Sequence, residues 1–549
     1  MRLFRSSLAI TLLCTLACAG IPQAYANKQR AVARTLPAPP QPVQWQHDWA
    51  EGAVFYEIFV RSFRDSNGDG IGDLQGLIEK LDYLNDGNPA TTTDLGIKGI
   101  WLMPVFESPS YHGYDTVDYE TIERDYGTNA DFERLLDEAH RRGIRVIVDL
   151  VVNHTSNQHP WFVDSASSPS SAKRNWYVWN TTNPNWSQPW GGSTTWHSSN
   201  GAFYYGVFWS GMPDINWQNP EAKAEMLRIA RFWLARGVDG FRLDATRYLI
   251  ETGPGPGQAD TPQTHAALKD LAAAVRTAKP EAVLVAENWT TAQIIAQYYG
   301  DASVIHGGDE MPMNFNFPLA DAIVNGANSG SPTPIVDAIR GVQSLYPAGA
   351  HDAPFLTNHD QRRLASVLGN DTGKNRVAAA ILLTLPGTPF LYYGEEVGLQ
   401  NGPTSGDESK RTPMPWTASG GFTSGTPWFG YAPGTSTANV ETQTSSASSL
   451  LSRYRTLIHA RNGSAALQKG SIELLPSSQL TLAFLRRTND ETVLVVHNLG
   501  DAFSKTANLP FQAGSFETIF ADGNAMPAGA NGAWTVTLPA RGVGMWRVK

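Results

Sequence analysis

Two charged side chains, Arg242 and Asp244, stand two positions apart at the end of the apolar segment Phe241–Leu243. A short apolar run of this kind is typical of a buried strand. Side chains alternate along a strand, so Arg242 and Asp244 project to the same side. An arginine beside a carboxylate keeps that carboxylate ionised. We therefore expect Asp244 to be either an oriented nucleophile or one half of a structural ion pair.

Three further apolar runs end in acidic or imidazole side chains. They are residues 145–154, which contain Asp149 and end in Asn153 and His154, residues 283–287, which end in Glu287, and residues 355–360, which end in His359 and Asp360. Helical patterns separate these runs, and this alternation predicts a parallel sheet. In a parallel barrel the chemistry lies at the carboxyl ends of the strands. We therefore expect these side chains to meet Asp244 at one end of a barrel.

Short apolar runs and helical patterns continue along the chain in βα order. The other predicted strands are Val54–Val60, Ile97–Met103, Ile144–Leu150, Met311–Phe317 and Pro389–Tyr393. The predicted helices cover about residues 74–84, 129–142, 220–236, 264–279, 375–385 and 446–462. This order predicts an α/β fold, specifically a (β/α)8 TIM barrel.

The pattern along the chain changes twice, as expected for a chain long enough for several domains. Residues 153–218 are irregular and rich in Ser, Asn, Pro, Gly and aromatic residues, and they are too many for an ordinary loop. From residue 463 short alternating runs indicate antiparallel strands. We predict a barrel at 51–152 and 219–462, an inserted small domain after strand 3 at 153–218, and a C-terminal antiparallel β-sandwich domain at 463–549.

The four motifs resemble the signature regions of the α-amylase family, glycoside hydrolase family 13. The matching stretches are Asp149–His154, Gly240–Asp244, the strand that leads to Glu287, and Phe355–Asp360, in the family's order and spacing. Residues 212–214, Met-Pro-Asp, resemble a fifth region in the form of a group intermediate between oligo-1,6-glucosidases and neopullulanases. The resemblance implies an α-glucan or maltooligosaccharide substrate and retaining hydrolysis through a covalent glycosyl-enzyme.

The resemblance also implies a role for each acid. Asp244 is the expected nucleophile, Glu287 the acid/base, and Asp360 the residue that binds sugar hydroxyls and stabilises the transition state. Near two ionised carboxylates, Glu287 is expected to keep its proton to a higher pH than usual. The substrate-binding residues that the resemblance implies are Tyr114, Asp115, His154, Arg242, His359 and Arg411.

Eight of the 17 tryptophans of the chain lie in the predicted insertion. They are Trp161, Trp176, Trp179, Trp186, Trp190, Trp196, Trp209 and Trp217. Tryptophan suits stacking on sugar rings, but large aromatic side chains usually pack against one another even near sites. We expect about two in three of these tryptophans to form a local aromatic core.

The residues just after Asp244 bear on specificity. Many family members have Lys-His three and four residues after the nucleophile, where this chain has Arg247 and Tyr248. At the position of Ala245, the resemblance associates a small residue with α-1,4 linkages and valine with α-1,6 linkages. An α-glucosidase or a transglycosylase therefore stays an alternative to an α-amylase. A non-catalytic glucan-binding protein is a third alternative, against which the presence of all three acids argues.

A loop with regularly spaced oxygen ligands follows the first predicted strand. The candidate ligands are Asp65, Asn67, Asp69, the carbonyl of Ile71, and Asp73. This spacing matches the front of an EF-hand loop, but position 12 is Gly76 and the bidentate glutamate is absent. Hard oxygen ligands suit Ca²⁺, and the loop resembles a structural calcium loop of oligo-1,6-glucosidase relatives. A solvated turn of Asp, Asn and Gly is the alternative.

The N-terminus has the pattern of an export signal. Arg2 and Arg5 precede an apolar run at residues 8–19, and residues 24–26, Ala-Tyr-Ala, fit a signal peptidase site. Residues 1–26 are therefore predicted to be removed. The apolar run is too short to span a bilayer, so we expect a secreted or periplasmic protein.

Both cysteines, Cys14 and Cys18, lie inside this signal, and residues 27–50 read as a proline-rich linker. Lipidation at Cys18 is an alternative to cleavage after residue 26. Loss of the two arginines with the signal takes the formal charge from −9 to −11. An acidic chain argues against nucleic acid as a partner and suits a neutral substrate. We expect a monomer without a transmembrane segment.

Overall fold

Eight short buried segments form the parallel sheet that positions the candidate site. The computed structural model describes residues 42–476, 478–509, 512–530 and 533–549. In chain order the strands β1 to β8 are Phe55–Ile58, Gly99–Leu102, Arg145–Leu150, Gly240–Leu243, Val283–Ala286, Met313–Phe315, His351–Ala353 and Phe390–Tyr392. From β1 to β7 each strand pairs with the next one in the chain, and β1 also pairs with β8. A single bridge between Phe355, which follows β7, and Phe390 of β8 closes the remaining gap, so the predicted barrel is confirmed.

The helices between the strands begin at residues suited to start them. Asn219 caps the helix Pro220–Ala235 through its side chain, and Pro220 stands in the first turn, where its missing N–H costs nothing. The other barrel helices are Val60–Phe63, Leu74–Glu79, Leu81–Leu84, Asn129–Arg141, Pro262–Ala278, Ala292–Ile295, Phe317–Ser329, Thr333–Leu345, Leu364–Val367, Thr372–Thr384, Val440–Thr444, Leu450–Asn462 and Ala465–Lys469. Short 3₁₀ segments are Arg174–Trp176, Thr246–Tyr248, Gly255–Gln258, Ala296–Tyr299, Glu395–Val397, Asp407–Lys410 and Asp522–Asn524.

The seventh strand differs from its prediction. The apolar run 355–360 was the expected strand, but β7 is His351–Ala353 and the run follows it as a loop. Pro354 explains the change, because it lacks an N–H and interrupts the ladder directly after β7. The predicted helix 74–84 is likewise divided, at Lys80, into Leu74–Glu79 and Leu81–Leu84.

The segment between β3 and the helix Pro220–Ala235 contains the predicted insertion. Its elements are the helix Pro160–Ser167 and the strands Trp179–Asn180, Trp196–Ser199 and Ala202–Tyr205; a separate hairpin after β2 pairs Phe106–Glu107 with Asp118–Ile122. Six of the eight tryptophans are buried or half-buried, and five of these contact other aromatic rings. Trp190 and Trp209 are about half exposed, at 50% and 51%. Most of these tryptophans therefore serve a local aromatic core.

Two antiparallel sheets form the C-terminal part of the chain, as predicted. The larger contains Ser471–Leu475, Thr481–Arg487, Thr492–Asn498, Phe516–Ala521 and Val543–Val548, and the smaller contains Ser504–Leu509, Ala528–Ala530 and Ala533–Leu538. Their facing residues, such as Leu485, Leu494 and Trp546, form a separate apolar core.

Two buried arginines, Arg461 on the helix Leu450–Asn462 and Arg486 in the C-terminal sheets, bind the end of one barrel helix. Arg461 donates to the carbonyl oxygens of Leu383 and Leu385, each at 2.9 Å, and Arg486 donates to that of Thr384 at 2.6 Å. These carbonyls end the helix Thr372–Thr384, where a cation interacts favourably with the helix dipole. Among the described residues neither arginine forms an ion pair, and burial lowers the pKa of Arg461 to about 9.

The predicted signal at 1–26, Cys14, Cys18 and the linker up to residue 41 lie outside the described residues. Within the described ranges, no helix combines the length and apolar character needed to cross a membrane.

Candidate active site

One arginine on β4 joins three carboxylates at the carboxyl ends of neighbouring strands. The guanidinium of Arg242 lies 2.7 Å from Asp244 Oδ1, 2.7 Å from Glu287 Oε2 and 3.0 Å from Asp149 Oδ2. Arg242 is buried, with its guanidinium carbon 5.1 Å from the centre of the Trp101 ring. Strands β3, β4 and β5 are adjacent, so the alternation along each strand brings these side chains to one cation.

The backbone directly after β4 has an uncommon conformation. Ala245, directly after Asp244, has φ 52° and ψ 33°, a left-handed conformation that costs a residue with a Cβ about 1–2 kcal/mol. Its N–H points to Glu287 Oε2 at 3.4 Å. Thr246 donates to the carbonyl of Glu287 at 2.9 Å and to Asn288 Oδ1 at 2.8 Å. These bonds hold the end of β4 against the end of β5.

The environment of Glu287 favours its protonated form. Burial is the largest cause, and the carboxylates of Asp244 and Asp360 add to it, while Arg242 opposes them. Together they raise the pKa of Glu287 to about 7. A carboxyl group that keeps its proton near neutral pH can act as a general acid.

Asp360, in contrast, is held in its ionised form. Burial alone would raise the pKa of Asp360, but His359 and Arg411 lower it well below its usual range. Arg411 lies 2.9 Å from one carboxylate oxygen and His359 Nε2 lies 3.1 Å from the other. Burial opposes a charge on His359, yet the carboxylates of Asp360 and Glu57 raise its pKa to about 9. Asp360 is therefore an ionised, oriented carboxylate.

A cavity of about 630 Å³ opens over these groups. Six predicted residues line it: Tyr114, His154, Asp244, Glu287, Asp360 and Arg411. Arg242 and His359 are buried behind that lining, and His359 Nε2 lies 2.7 Å from the hydroxyl of Tyr114. Asp115 accepts hydrogen bonds from Ser108 and Ser110 and is not among the lining residues. The predicted contacts of Asp115 and His359 with substrate stay predictions.

Several lining residues were missed by the sequence analysis. They are His112, Phe208 and Trp289 on loops and Asp407 on a short 3₁₀ segment, where no periodic pattern marks them. Glu57 was missed as well, although it lies 2.6 Å from His359 Nδ1. A signal existed for Glu57, because it is an acid inside the otherwise apolar strand β1.

The predicted calcium ligands lie in the loop after β1, which is closed by its own hydrogen bonds. Both oxygens of Asp65 accept backbone N–H groups of the loop, and one also accepts the hydroxyl of Thr423. Asp73 accepts from groups at both ends of the loop. Asn67 and Asp69 are exposed, and each accepts one backbone N–H, so both keep lone pairs for a cation.

In the described part of the chain, no three His, Cys, Asp or Glu side chains are grouped closely enough to hold a metal ion. The loop offers amide and carbonyl oxygens in addition to carboxylates, and this all-oxygen set fits the chemistry of Ca²⁺. Calcium at this loop stays a prediction.

A parallel barrel whose β4 and β5 end in neighbouring carboxylates, with a third acid after β7, has the paired acids that glycoside hydrolysis requires at the end of the barrel where such chemistry lies. Residues 57–470 match the family model described as the catalytic domain of α-amylase, and residues 472–545 match the C-terminal domain of maltogenic amylase. The chain therefore belongs to the α-amylase family of glycoside hydrolases.

Its relatives have more than one activity. The chain is 39% identical to alpha-amylase 3 of Dictyoglomus thermophilum, over 83% of this chain and 86% of the relative. It is 38% identical to the trehalose synthase/amylase of Mycolicibacterium smegmatis, over 86% and 84% respectively. The crystal structure of an alpha-amylase from H. orenii superposes with a TM-score of 0.81 at 39% identity, covering 90% of this chain and 99% of that one.

Proposed function

We propose that the protein is an exported α-glucan hydrolase that cleaves α-1,4-glucosidic bonds of starch or maltooligosaccharides with retention. The observation that carries this proposal is the single guanidinium of Arg242 joining Asp244 and Glu287 beneath the cavity. Asp244, the proposed nucleophile, shares this cation with Glu287, an acid whose pKa is raised to about 7. The export part of the proposal rests on the N-terminal sequence alone.

In the proposed reaction, Asp244 attacks the anomeric carbon while Glu287 gives its proton to the glycosidic oxygen. The bond between the anomeric carbon and that oxygen breaks, and a covalent glycosyl-enzyme forms. Glu287, now ionised, then takes a proton from water, which attacks the same carbon and releases Asp244. Ionised Asp360, held by Arg411, would accept hydrogen bonds from sugar hydroxyls and stabilise the positive charge of the transition state.

A transglycosylase acting on short maltooligosaccharides is a second candidate. It is favoured by the trehalose synthase/amylase relative and by the aromatic wall of Trp190, Phe208 and Tyr248, which could exclude water. Chromatography of the products of maltoheptaose over time separates the two functions. Hydrolysis gives only shorter sugars that start as the α-anomer, whereas transfer also gives products longer than the substrate or with a new linkage.

The pH dependence follows from the acid role of Glu287. We expect kcat/KM on maltoheptaose to fall about tenfold per pH unit above about 7, because Glu287 loses the proton that the leaving oxygen needs. His359, with a pKa of about 9, is expected to stay mostly charged up to about pH 8. A pH profile from about 5 to 8 measures the fall. α-Maltosyl fluoride, whose leaving group needs no proton, is the control, and a flat profile for maltoheptaose would contradict the assignment.

Linkage preference is expected to depend on Ala245, which lines the cavity beside Asp244. The small side chain predicts faster cleavage of maltotriose than of isomaltotriose, and Ala245→Val is expected to move the ratio of kcat/KM toward isomaltotriose by about 10- to 200-fold. A branched side chain at φ 52° adds strain. That strain lowers both rates, so the ratio is the informative quantity. An unchanged ratio would remove Ala245 as the determinant.

We further propose that Ca²⁺ binds Asp65, Asn67, Asp69, the Ile71 carbonyl and Asp73 and stabilises the loop after β1. Calcium at about 100 times its Kd would add about 2.7 kcal/mol to the free energy of unfolding, so chelation is expected to lower the Tm. Asp69→Ala is expected to abolish both the bound calcium and the effect of chelation. Asp86→Ala, at a similar Asx turn elsewhere, is the matched control. If Asp69→Ala changes neither the Tm nor the amount of bound calcium, the loop does not bind calcium and is a simple turn.

A further inference from the structure

The side of the cavity next to Glu287 receives the part of the substrate that leaves. Glu287 gives its proton to the glycosidic oxygen in the proposed reaction, so the sugar beyond that oxygen must lie against Glu287. The lining residues on this side are Ala245, whose N–H lies 3.4 Å from Glu287 Oε2, Arg247, and Trp289, which follows Glu287 by two positions. Arg247 stands where many family members have lysine, and the proposed reaction gives it no role.

The guanidinium of Arg247 is held by Asp260. Nε lies 2.9 Å from Oδ1 of Asp260 and Nη2 lies 2.5 Å from Oδ2, while the backbone N–H of Asp260 donates to the carbonyl of Arg247 at 2.9 Å. The buried Tyr298 donates to the same carboxylate at 2.6 Å. Neither Asp260 nor Tyr298 is among the described residues that line the cavity. The charge of Arg247 is therefore paired, and its planar fork has a fixed direction.

The same guanidinium fixes the loop that carries Trp289. Nη1 of Arg247 donates to the carbonyl of Trp289 at 3.0 Å, and the neighbouring Thr246 donates to that of Glu287, so the loop after β5 is bound at two points. The Trp289 ring stacks on the buried Phe317, with ring centres 4.9 Å apart and planes 11° apart. Trp289 is nevertheless 49% exposed and lines the cavity. It is therefore an aromatic surface of fixed orientation beside the acid.

An exposed aromatic ring in a cavity can stack on the apolar C–H face of a sugar, provided that the ring is correctly oriented. We propose that Asp260 is a positioning residue, which holds Trp289 through Arg247 so that the ring supports the leaving sugar. This inference rests on the proposed function and extends it to a residue that does not touch the substrate. The contact is absent for a substrate whose leaving group is not a sugar.

Asp260→Asn tests the proposal on the full chain. Asparagine has nearly the same shape and readily adopts the left-handed backbone of Asp260, whose φ is 55°. The readout is the ratio of kcat/KM on maltotetraose to kcat/KM on α-maltosyl fluoride, because fluoride makes no contact with Trp289. We expect this ratio to fall about tenfold, since a charge-assisted pair of hydrogen bonds is lost.

Asp522→Asn is the matched control. Asp522 also forms a bidentate pair with an arginine, Arg453, and neither residue lines the cavity. This variant is expected to leave the ratio unchanged, even where it lowers stability. A purely structural role of Asp260 would likewise lower both rates in parallel, so an unchanged ratio in Asp260→Asn would overturn the proposal.

Arg247→Lys separates positioning from a direct contact with the sugar. Lysine keeps the positive charge but lacks the planar fork that binds Asp260 and the Trp289 carbonyl at once. We expect Arg247→Lys to lower the ratio about as much as Asp260→Asn does. The double variant should lower it no further, because the residues act as one unit.

Two further outcomes would count against the inference or against its basis. A lower ratio in Arg247→Lys with an unchanged ratio in Asp260→Asn would assign the effect to a direct contact of Arg247 and overturn the positioning role. Failure of the unsubstituted protein to react with either substrate would instead overturn the proposed function. The two failures are therefore distinguishable.

Discussion

Asp244→Asn, Glu287→Gln and Asp360→Asn are each expected to lower turnover of maltoheptaose by at least about 10³-fold while leaving the protein folded. Each change replaces a carboxylate by an amide of nearly the same shape. The loss therefore reports the charge or proton that the reaction needs. Circular dichroism and thermal unfolding check the fold of each variant, and turnover within tenfold of the unsubstituted protein would refute the role of that acid.

The variants are also expected to differ from one another in an informative way. α-Maltosyl fluoride has a leaving group that needs no proton, so Glu287→Gln should recover much of its first-step rate on this substrate. Asp244→Asn should not, because its nucleophile is missing. Asp407→Asn provides a matched control, since this acid lines the same cavity but is exposed and bound to Lys410. We expect less than about a tenfold effect for it.

Arg242→Met is expected to cause the largest combined loss of stability and activity. It leaves Asp149, Asp244 and Glu287 without their shared cation, and breaking a buried ion pair in this way costs about 3–5 kcal/mol. Arg242 also lowers the pKa of Glu287, so any residual activity should show its alkaline limb at higher pH. Urea unfolding and the pH profile measure the two effects.

Arg453→Met is the matched control for this change. Arg453 is also buried and forms a bidentate pair with Asp522, at 2.7 and 2.5 Å, and neither residue lines the cavity. It should lower stability and leave turnover per folded molecule unchanged. If the turnover of Arg242→Met also stayed within tenfold of that of the unsubstituted protein, Arg242 would only form a structural ion pair. This is the alternative to a catalytic role that the sequence analysis left open.

The barrel and its acids could be predicted because each strand has a recognisable apolar sequence. A buried strand in a parallel sheet is apolar along its whole length, as Val283–Ala286 shows, so the charged residue that follows it stands out. The same signal misplaced β7, because residues 355–357 are as apolar as a strand while Pro354 stops the ladder before them. The apolar runs therefore predicted which acids lie together more accurately than they predicted the bounds of β7.

Other features of the site leave no such signal. Trp289 comes to the cavity from a loop and Asp407 from a short 3₁₀ segment, and their positions depend on tertiary contacts. The left-handed backbone of Ala245 could not be predicted, since alanine seldom adopts this conformation.

The two arginines at the end of the helix Thr372–Thr384 make its hydrogen bonding depend on residues that come much later in the chain. Arg461 donates to the carbonyls of Leu383, Leu385 and Gly387, and Arg486 donates to that of Thr384. A growing chain that ends before residue 461 therefore contains all eight strands but neither of these donors. The end of this helix gains its full set of side-chain donors when the strand Thr481–Arg487 has been added.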